Sequence, residues 1–282
     1  MLALKIKVMK IVTGYWRPGT DYLNEIVSKV APLVQDGDVI TISEKAIVTS
    51  KGFIIDESRV RPSSLAKFLS KYWMRLAWGG PISYLTRLKQ KTRVRLRNYP
   101  IEAGSLHKQT ALRIVGLLQS LRHYSEGGID ASNLPYFYVS LPLPDPEFEA
   151  EKIRQVLEKS LNKKLTVMIV DGDTTYSWRN LHLAPRRVNV PGVVHFGGFL
   201  TFVIGRMLNL KSRSTPLALS GNRYNPDWCL TLAEIAHRVR GEGAGRTVWD
   251  MEEKFGVPSK SITWEMLERV EHTAVVLLRF SN

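Results

Sequence analysis

"KLTVMIVDGDTTYSWR", residues 164–179, decides how the chain is read. Leu165 to Val170 is a short apolar run bounded by charge, the pattern of a strand buried on both faces. The strand is expected to end there. Asp171, Asp173, Thr174 and Thr175 then emerge at its carboxyl end, where α/β proteins commonly place ligands. Just upstream, "PDPEFEAEKIRQVLEKSL" (144–161) reads as the clearest helix. Asp145 suits the N-cap, Pro146 the first turn, and Phe148, Ile153, Val156, Leu157 and Leu161 mark an apolar stripe.

Further out, strands and helices mix without strict alternation. "MLALKIKVMKIV" opens the chain as a strand, and Leu23, Ile26, Val27, Val30 and Leu33 recur at helical spacing. "QDGD" (35–38) reads as a hairpin-type turn, and "VITISEKAIVTSKGFIID" (39–56) as two or three strands. "PSSLAKFLSKYWMRLAW" (62–78) predicts a helix capped by Ser63 or Ser64, and "HKQTALRIVGLLQSLRHY" (107–124) another. "LPYFYVSLPL" (134–143) reads as a buried strand. "NPDWCLTLAEIAHRVRG" (225–241) predicts a helix from Asn225–Pro226 to Gly241, "TWEMLERVEH" (263–272) a further one, and "TAVVLLRF" (273–280) a closing strand. The pattern predicts an α+β protein with a mixed, largely antiparallel sheet and flanking helices. One domain over residues 1–282 is expected, with a possible subdivision at 125/126.

Composition narrows the function classes. The 282 residues carry 40 Lys+Arg against 26 Asp+Glu, a net charge of +14, which favours an anionic partner. The single cysteine, Cys229, excludes an internal disulfide and fits a reducing compartment. "VPGVVHFGGFLTFVIG" (190–205) is too short to span a bilayer, so a buried glycine-rich segment and a soluble cytoplasmic protein are expected. H-E-x-x-H, paired cysteines and G-x-S-x-G are all missing, which removes zinc and serine-hydrolase chemistry as leading readings.

Several segments remain as chemical candidates. "SEGGIDASNLP" (125–135) places Asp130 and Asn133 on a breakable backbone; a plain turn and an oxygen ligand set for Mg²⁺ or Mn²⁺ are both open. Asp130 with Asp171 or Asp173 and a threonine hydroxyl would make such a set. "SEKAIVTSKG" offers Lys45 and Lys51 as phosphate ligands or as a surface hairpin. "GEGAGRTVWD" (241–250) offers backbone N–H groups and Arg246 to an anion, or a helix connector. In "LKQKTRVRLRNYP", Lys89, Lys91, Arg93, Arg95 and Arg97 recur at every second position. A strand would align them as a cationic ladder, either for an acidic polymer or as a solvated edge.

"DGDVITISEKAIVTSKGFIID", "GIDASN", "LPLPDPEFEAEKIR" and "VMIVDGDTT" together, in this order and spacing, resemble the coenzyme F420-0:L-glutamate ligase family. The resemblance is good over roughly residues 10–180. It implies a γ-glutamyl ligase fold and a homodimer that uses GTP and a divalent metal. It implies Asp130 as a metal ligand, Asp173–Thr174 as the pair holding metal with Asp171 as the alternative register, and Asn133, Glu44 and Lys45 as nucleotide contacts. Thr49 stands where the family carries a phosphate lysine, and Lys51 follows two residues later. Gly127 and Gly128 would let the backbone bring Asp130 towards Asp173. Lys51 and Arg246 complete the expected phosphate contacts. The substrate would be a small anionic metabolite. The rival expectation is a non-catalytic relative whose basic ladder binds nucleic acid or an acidic partner.

Overall fold

In the computed structural model, which describes residues 5–281, a seven-stranded mixed sheet carries helices on both faces. β1 (Lys5–Thr13) leads through α1 (Tyr22–Val30) to β2 (Val39–Ser43), α2 (Glu44–Ser50) and β3 (Ile54–Asp56). A helical stretch follows: α3 (Ser64–Phe68), continuing as wider π-helical turns over Leu69–Trp78, then α4 (Pro81–Leu85), α5 (Gln90–Arg97), α6 (Ile101–Ile114) and α7 (Leu117–Ser120). Next come β4 (Tyr138–Ser140), α8 (Pro146–Leu161), β5 (Thr166–Trp178), β6 (Leu181–Ala184), β7 (Val193–His195), α9 (Phe199–Met207) and β8 (Lys211–Ser220). The last elements are α10 (Pro226–Arg240), α11 (Val248–Phe255), α12 (Trp264–Glu268) and β9 (His272–Ser281). The opening strand was expected from residue 1, and its first four positions lie outside the described residues.

The sheet runs β1-β9-β2-β5-β6-β7, with β8 also paired to β5. β2 with β5 and β6 with β7 are parallel; the other pairs are antiparallel, as the expected fold class requires. The apolar runs are continuous because both faces are covered, and side chains alternate between them. Ile40, Ile42, Val167, Ile169, Val275 and Leu277 pack with α1, α2 and α8. Their neighbours Val39, Met168, Val170, Val276 and Leu278 face α10, where Cys229, Leu230, Ala233 and Ala236 meet them. Asp145 and Asn225 cap α8 and α10 as expected: their side chains accept from the backbone N–H of Phe148 and Trp228. Ser63 caps α3.

Several local expectations are corrected. Residues 44–50 form helix, so the expected strand hairpin is absent. The Thr49 and Ser50 hydroxyls donate back to the carbonyls of Lys45 and Ile47 at 2.8 and 2.7 Å, while Ile47 and Val48 enter the core. The basic ladder is the helix α5, so its charges point in different directions. Lys91 and Arg95 pair with Glu253 and Asp250 of α11 at 2.6 and 2.9 Å, Arg97 donates to the Gly79 carbonyl, and Arg93 lies over the Tyr84 ring. "QDGD" links α1 to β2 instead of turning a hairpin. The helix expected over 107–124 is split into α6 and α7. Residues 190–205 give β7 and the half-exposed α9 instead of a buried segment, and no described helix is long and apolar enough to cross a membrane.

The largest correction concerns β5, which does not stop at Val170 and runs on to Trp178. β8, unforeseen in the sequence, pairs along its length. Asp171 opposes Thr215 and Thr174 opposes Ser214, so Gly172 and Asp173 are extra residues bulging from β5.

Candidate active site

The expected segments meet at one end of the parallel pair. Ser43, the last residue of β2, lies beside Val170 of β5, so Glu44–Lys45, where β2 gives way to α2, and Asp171–Asp173, where β5 bulges, are neighbours. The loop carrying Asp130 closes over them, tied to β4 by the reciprocal backbone bonds of Asp130 and Ser140 at 3.3 and 3.0 Å. Four carboxylates gather here, and cations of the chain hold them.

Asp173 is buried and faces Arg122, which donates to its two oxygens from Nη1 at 2.7 Å and Nη2 at 2.5 Å. Arg186 donates to both oxygens of Glu44, at 2.5 and 2.8 Å, and to Asp171 at 2.7 Å. Glu44 also accepts from the Leu143 N–H at 2.8 Å. Asp130 pairs with the Lys45 ammonium and accepts from the Ser132 N–H at 2.7 Å, an Asx-type turn. Lys45 uses its remaining donors on the carbonyl and hydroxyl of Ser132, both at 2.7 Å. Burial pushes the Glu44 and Asp173 carboxyls up, and Arg186 and Arg122 oppose it. Burial also works against both guanidiniums, and the facing carboxylates outweigh it and hold them protonated.

Gly128 serves Arg186, not an approach of Asp130 to Asp173. Its φ is +101°, and a Cβ there would stand 2.6 Å from Arg186 Nη1. Asp130 and Asp173 each face a different cation and share none.

The Mg²⁺ or Mn²⁺ expectation meets these contacts directly. Every oxygen of Glu44, Asp130 and Asp173 already accepts a hydrogen bond, mostly from a cation. Thr174 is half-buried and sits just past the bulge, paired with Ser214. Among the described residues no group of three or more His, Cys, Asp or Glu could hold a metal ion. A hard divalent cation needs free oxygens and an excess of negative charge, so this donor set does not fit it.

The other expected contacts are placed elsewhere. Lys51 forms an ion pair with Glu149, which is buried between α8 and α1 and also accepts from the Tyr22 hydroxyl. Asn133 grips the glycine loop: Oδ1 accepts from the Ala244 N–H at 2.6 Å, and Nδ2 donates to the carbonyls of Gly245 at 2.9 Å and Glu242 at 3.2 Å. A Cβ at Gly243 (φ +59°) would lie 2.5 Å from Asn133 Oδ1, so a glycine is needed there. Arg246, 69% exposed, lies 3.6 Å from Glu242 at the surface.

Arg122 and Arg186 were not singled out in the sequence, and two more residues missed there complete the cradle. Arg240, at the end of α10, donates to Nδ1 of His237 at 2.9 Å and has no carboxylate of the described residues within ion-pair distance; Asp171 and Lys45 lie within its field. Burial, helped by Arg240, lowers His237 to about 4, which keeps the ring neutral and able to accept. Nothing in "AHRVRG" distinguishes these two residues from an ordinary basic helix end.

Asp130 and Ser132 also line a cavity of about 300 Å³. Tyr99, Tyr124, Tyr136 and Trp249 supply much of its wall. The Tyr124 hydroxyl and His123 Nδ1, both on lining residues, are buried without a hydrogen-bond partner among the described residues. Glu57, His107 and Glu126 line the cavity too and satisfy one another, with Lys108 beneath.

Residues 10–185 match the model of the F420-0:Gamma-glutamyl ligase family. The chain belongs to this family. It is 32% identical over 290 aligned positions to "Uncharacterized protein MJ1361" of Methanocaldococcus jannaschii, covering 98% of this chain and 97% of that protein. It is 26% identical to the "Coenzyme F420:L-glutamate ligase" of Methanopyrus kandleri over 155 residues, 55% of this chain and 54% of the relative. All the cradle carboxylates fall inside the segment matched to the F420-0:Gamma-glutamyl ligase family; Arg240 and the glycine loop lie beyond it.

Proposed function

We propose that this member of the ligase family forms an amide, of γ-glutamyl type, between an amine and a carboxylate of a small anionic metabolite, driven by a nucleoside triphosphate with GTP as the first candidate. The observation that carries the reading is the meeting of Glu44–Lys45, the Asp130 loop and the Asp171–Asp173 bulge at the carboxyl end of β2 and β5, beside a cavity that shares Asp130. The cavity takes the body of the metabolite. Its aromatic wall of Tyr99, Tyr124, Tyr136 and Trp249 suits a flat, largely apolar body.

In this reading a carboxylate oxygen of the metabolite attacks the γ-phosphorus and the nucleoside diphosphate leaves. The amine nitrogen then attacks the acyl carbon of the acyl-phosphate, inorganic phosphate departs, and the surplus proton passes to solvent. Arg240, held by neutral His237 and directly paired with none of the described carboxylates, is the cradle cation placed to meet phosphate oxygens as charge builds on them. Mg²⁺ or Mn²⁺ enters only as the companion of the nucleotide's own phosphates. Of the five residues in the basic run, Lys91 and Arg95 pair with acids of α11, which supports the small-metabolite reading over the nucleic-acid one.

Thermal melting with GTP and ATP tests this. A nucleotide that binds only the folded protein raises the midpoint, by an amount equivalent to about 2.7 kcal/mol at a hundredfold excess over Kd. The wild type is expected to respond to one nucleotide, and Arg240→Ala to lose the response while melting normally alone. No shift with either nucleotide would sink the ligase reading.

A further inference from the structure

We infer that Arg122, Arg186 and Lys45 are the permanent counter-ions of the cradle and stand in for protein-bound metal. With no nucleotide present, the chain then binds no Mg²⁺ or Mn²⁺ through Glu44, Asp130, Asp171 or Asp173. The inference rests on the cradle being the ligase site proposed above.

Three observations converge. The contacts are bidentate: Arg122 takes both oxygens of Asp173 and Arg186 both oxygens of Glu44, the planar fork that suits a carboxylate best. The pairs are also sealed, with side-chain exposures of 4% and 2% for Arg122 and Asp173 and of 6% and 5% for Arg186 and Glu44. A metal would have to drive a guanidinium out of a buried position and leave it without a partner. Finally, the backbone is shaped for the arginine, since any side chain at Gly128 would collide with Arg186.

Charge points the same way. Glu44, Asp130, Asp171 and Asp173 face Lys45, Arg122, Arg186 and Arg240, so the cradle is neutral as built. A divalent ion added to it meets no uncompensated anion. Arg186 does what a bridging metal would do: it joins Glu44 at the start of α2 to Asp171 on β5.

Titrating Mn²⁺ into nucleotide-free wild-type protein, with free Mn²⁺ read by electron paramagnetic resonance, tests the inference. The wild type is expected to leave the free-ion signal unchanged. Arg186→Met frees Glu44 and Asp171 and is expected to gain saturable binding, seen as stoichiometric loss of the signal. Stoichiometric binding by the wild type that Asp171→Asn or Asp173→Asn abolishes would overturn the inference, as would a folded Arg186→Met variant that binds none. Should Arg186→Met fail to fold, the wild-type titration still decides. A protein that binds no nucleotide, in chelator or in Mn²⁺, contradicts the ligase reading and leaves this titration unaffected.

Discussion

Asn133 was read from the sequence as a nucleotide contact, and the structure gives its whole side chain to the backbone of residues 242–245. The sequence shows that an amide sits beside a glycine pair; it does not show a partner 112 positions away. Asn133→Ala leaves those backbone groups unpaired and is expected to destabilise the fold by about 1–3 kcal/mol. Amide hydrogen exchange at Gly243, Ala244 and Gly245 should quicken markedly; unchanged exchange would show that the loop holds itself. His107 offers a pH test. Burial pulls its pKa down, and Glu57 and Glu126 outweigh that and raise it from the ordinary 6.5 to about 10. With the folded value raised, the stabilisation is complete below pH 6.5 and fades as pH climbs through about 10. The wild-type midpoint should therefore fall over that interval more steeply than that of His107→Gln. Parallel profiles would place the proton elsewhere.

At the scale of elements, the legible ones were those whose signals are local. α8 and α10 announce themselves by Asp or Asn followed by Pro, and β5 and β9 by unbroken apolar runs. α2 and α5 were not legible, because β-branched residues and alternating charge both imitate strands. Tertiary contacts decide them: Ile47 and Val48 reach the core, and Lys91 and Arg95 reach α11. The bulge on β5 was hidden because its partner β8 was not recognised. Its extra residue Asp173 depends on Arg122, 51 positions distant, for neutralisation. Arg122→Met strands a buried carboxylate and should cost about 3–5 kcal/mol, whereas Arg122→Met with Asp173→Leu should cost much less. Equal losses in a denaturant series would mean that the pair contributes packing alone.

For the whole molecule, the ordered set of segments carried the family and the sheet-with-helices fold, because spacing along a chain survives divergence. It did not carry the charge state of the site, since Glu44 and Arg186 are 142 positions apart and become a pair only when β2 and β5 lie side by side. A homodimer is proposed through α9, where Leu200, Ile204 and, just past its end, Leu208 stay exposed at four-residue spacing. Light scattering should give twice the 32.0 kDa of the chain, and Ile204→Glu should return the monomer mass. A monomeric wild type would remove that proposal.

The most direct measurement is a crystal structure of the protein soaked with GTP and Mn²⁺, with manganese located by its anomalous scattering. The predicted result is phosphate density beside Arg240, any manganese on the phosphates alone, and Arg122 and Arg186 still seated on Asp173 and Glu44. Manganese bridging Asp130 and Asp173 with Arg122 displaced would contradict it.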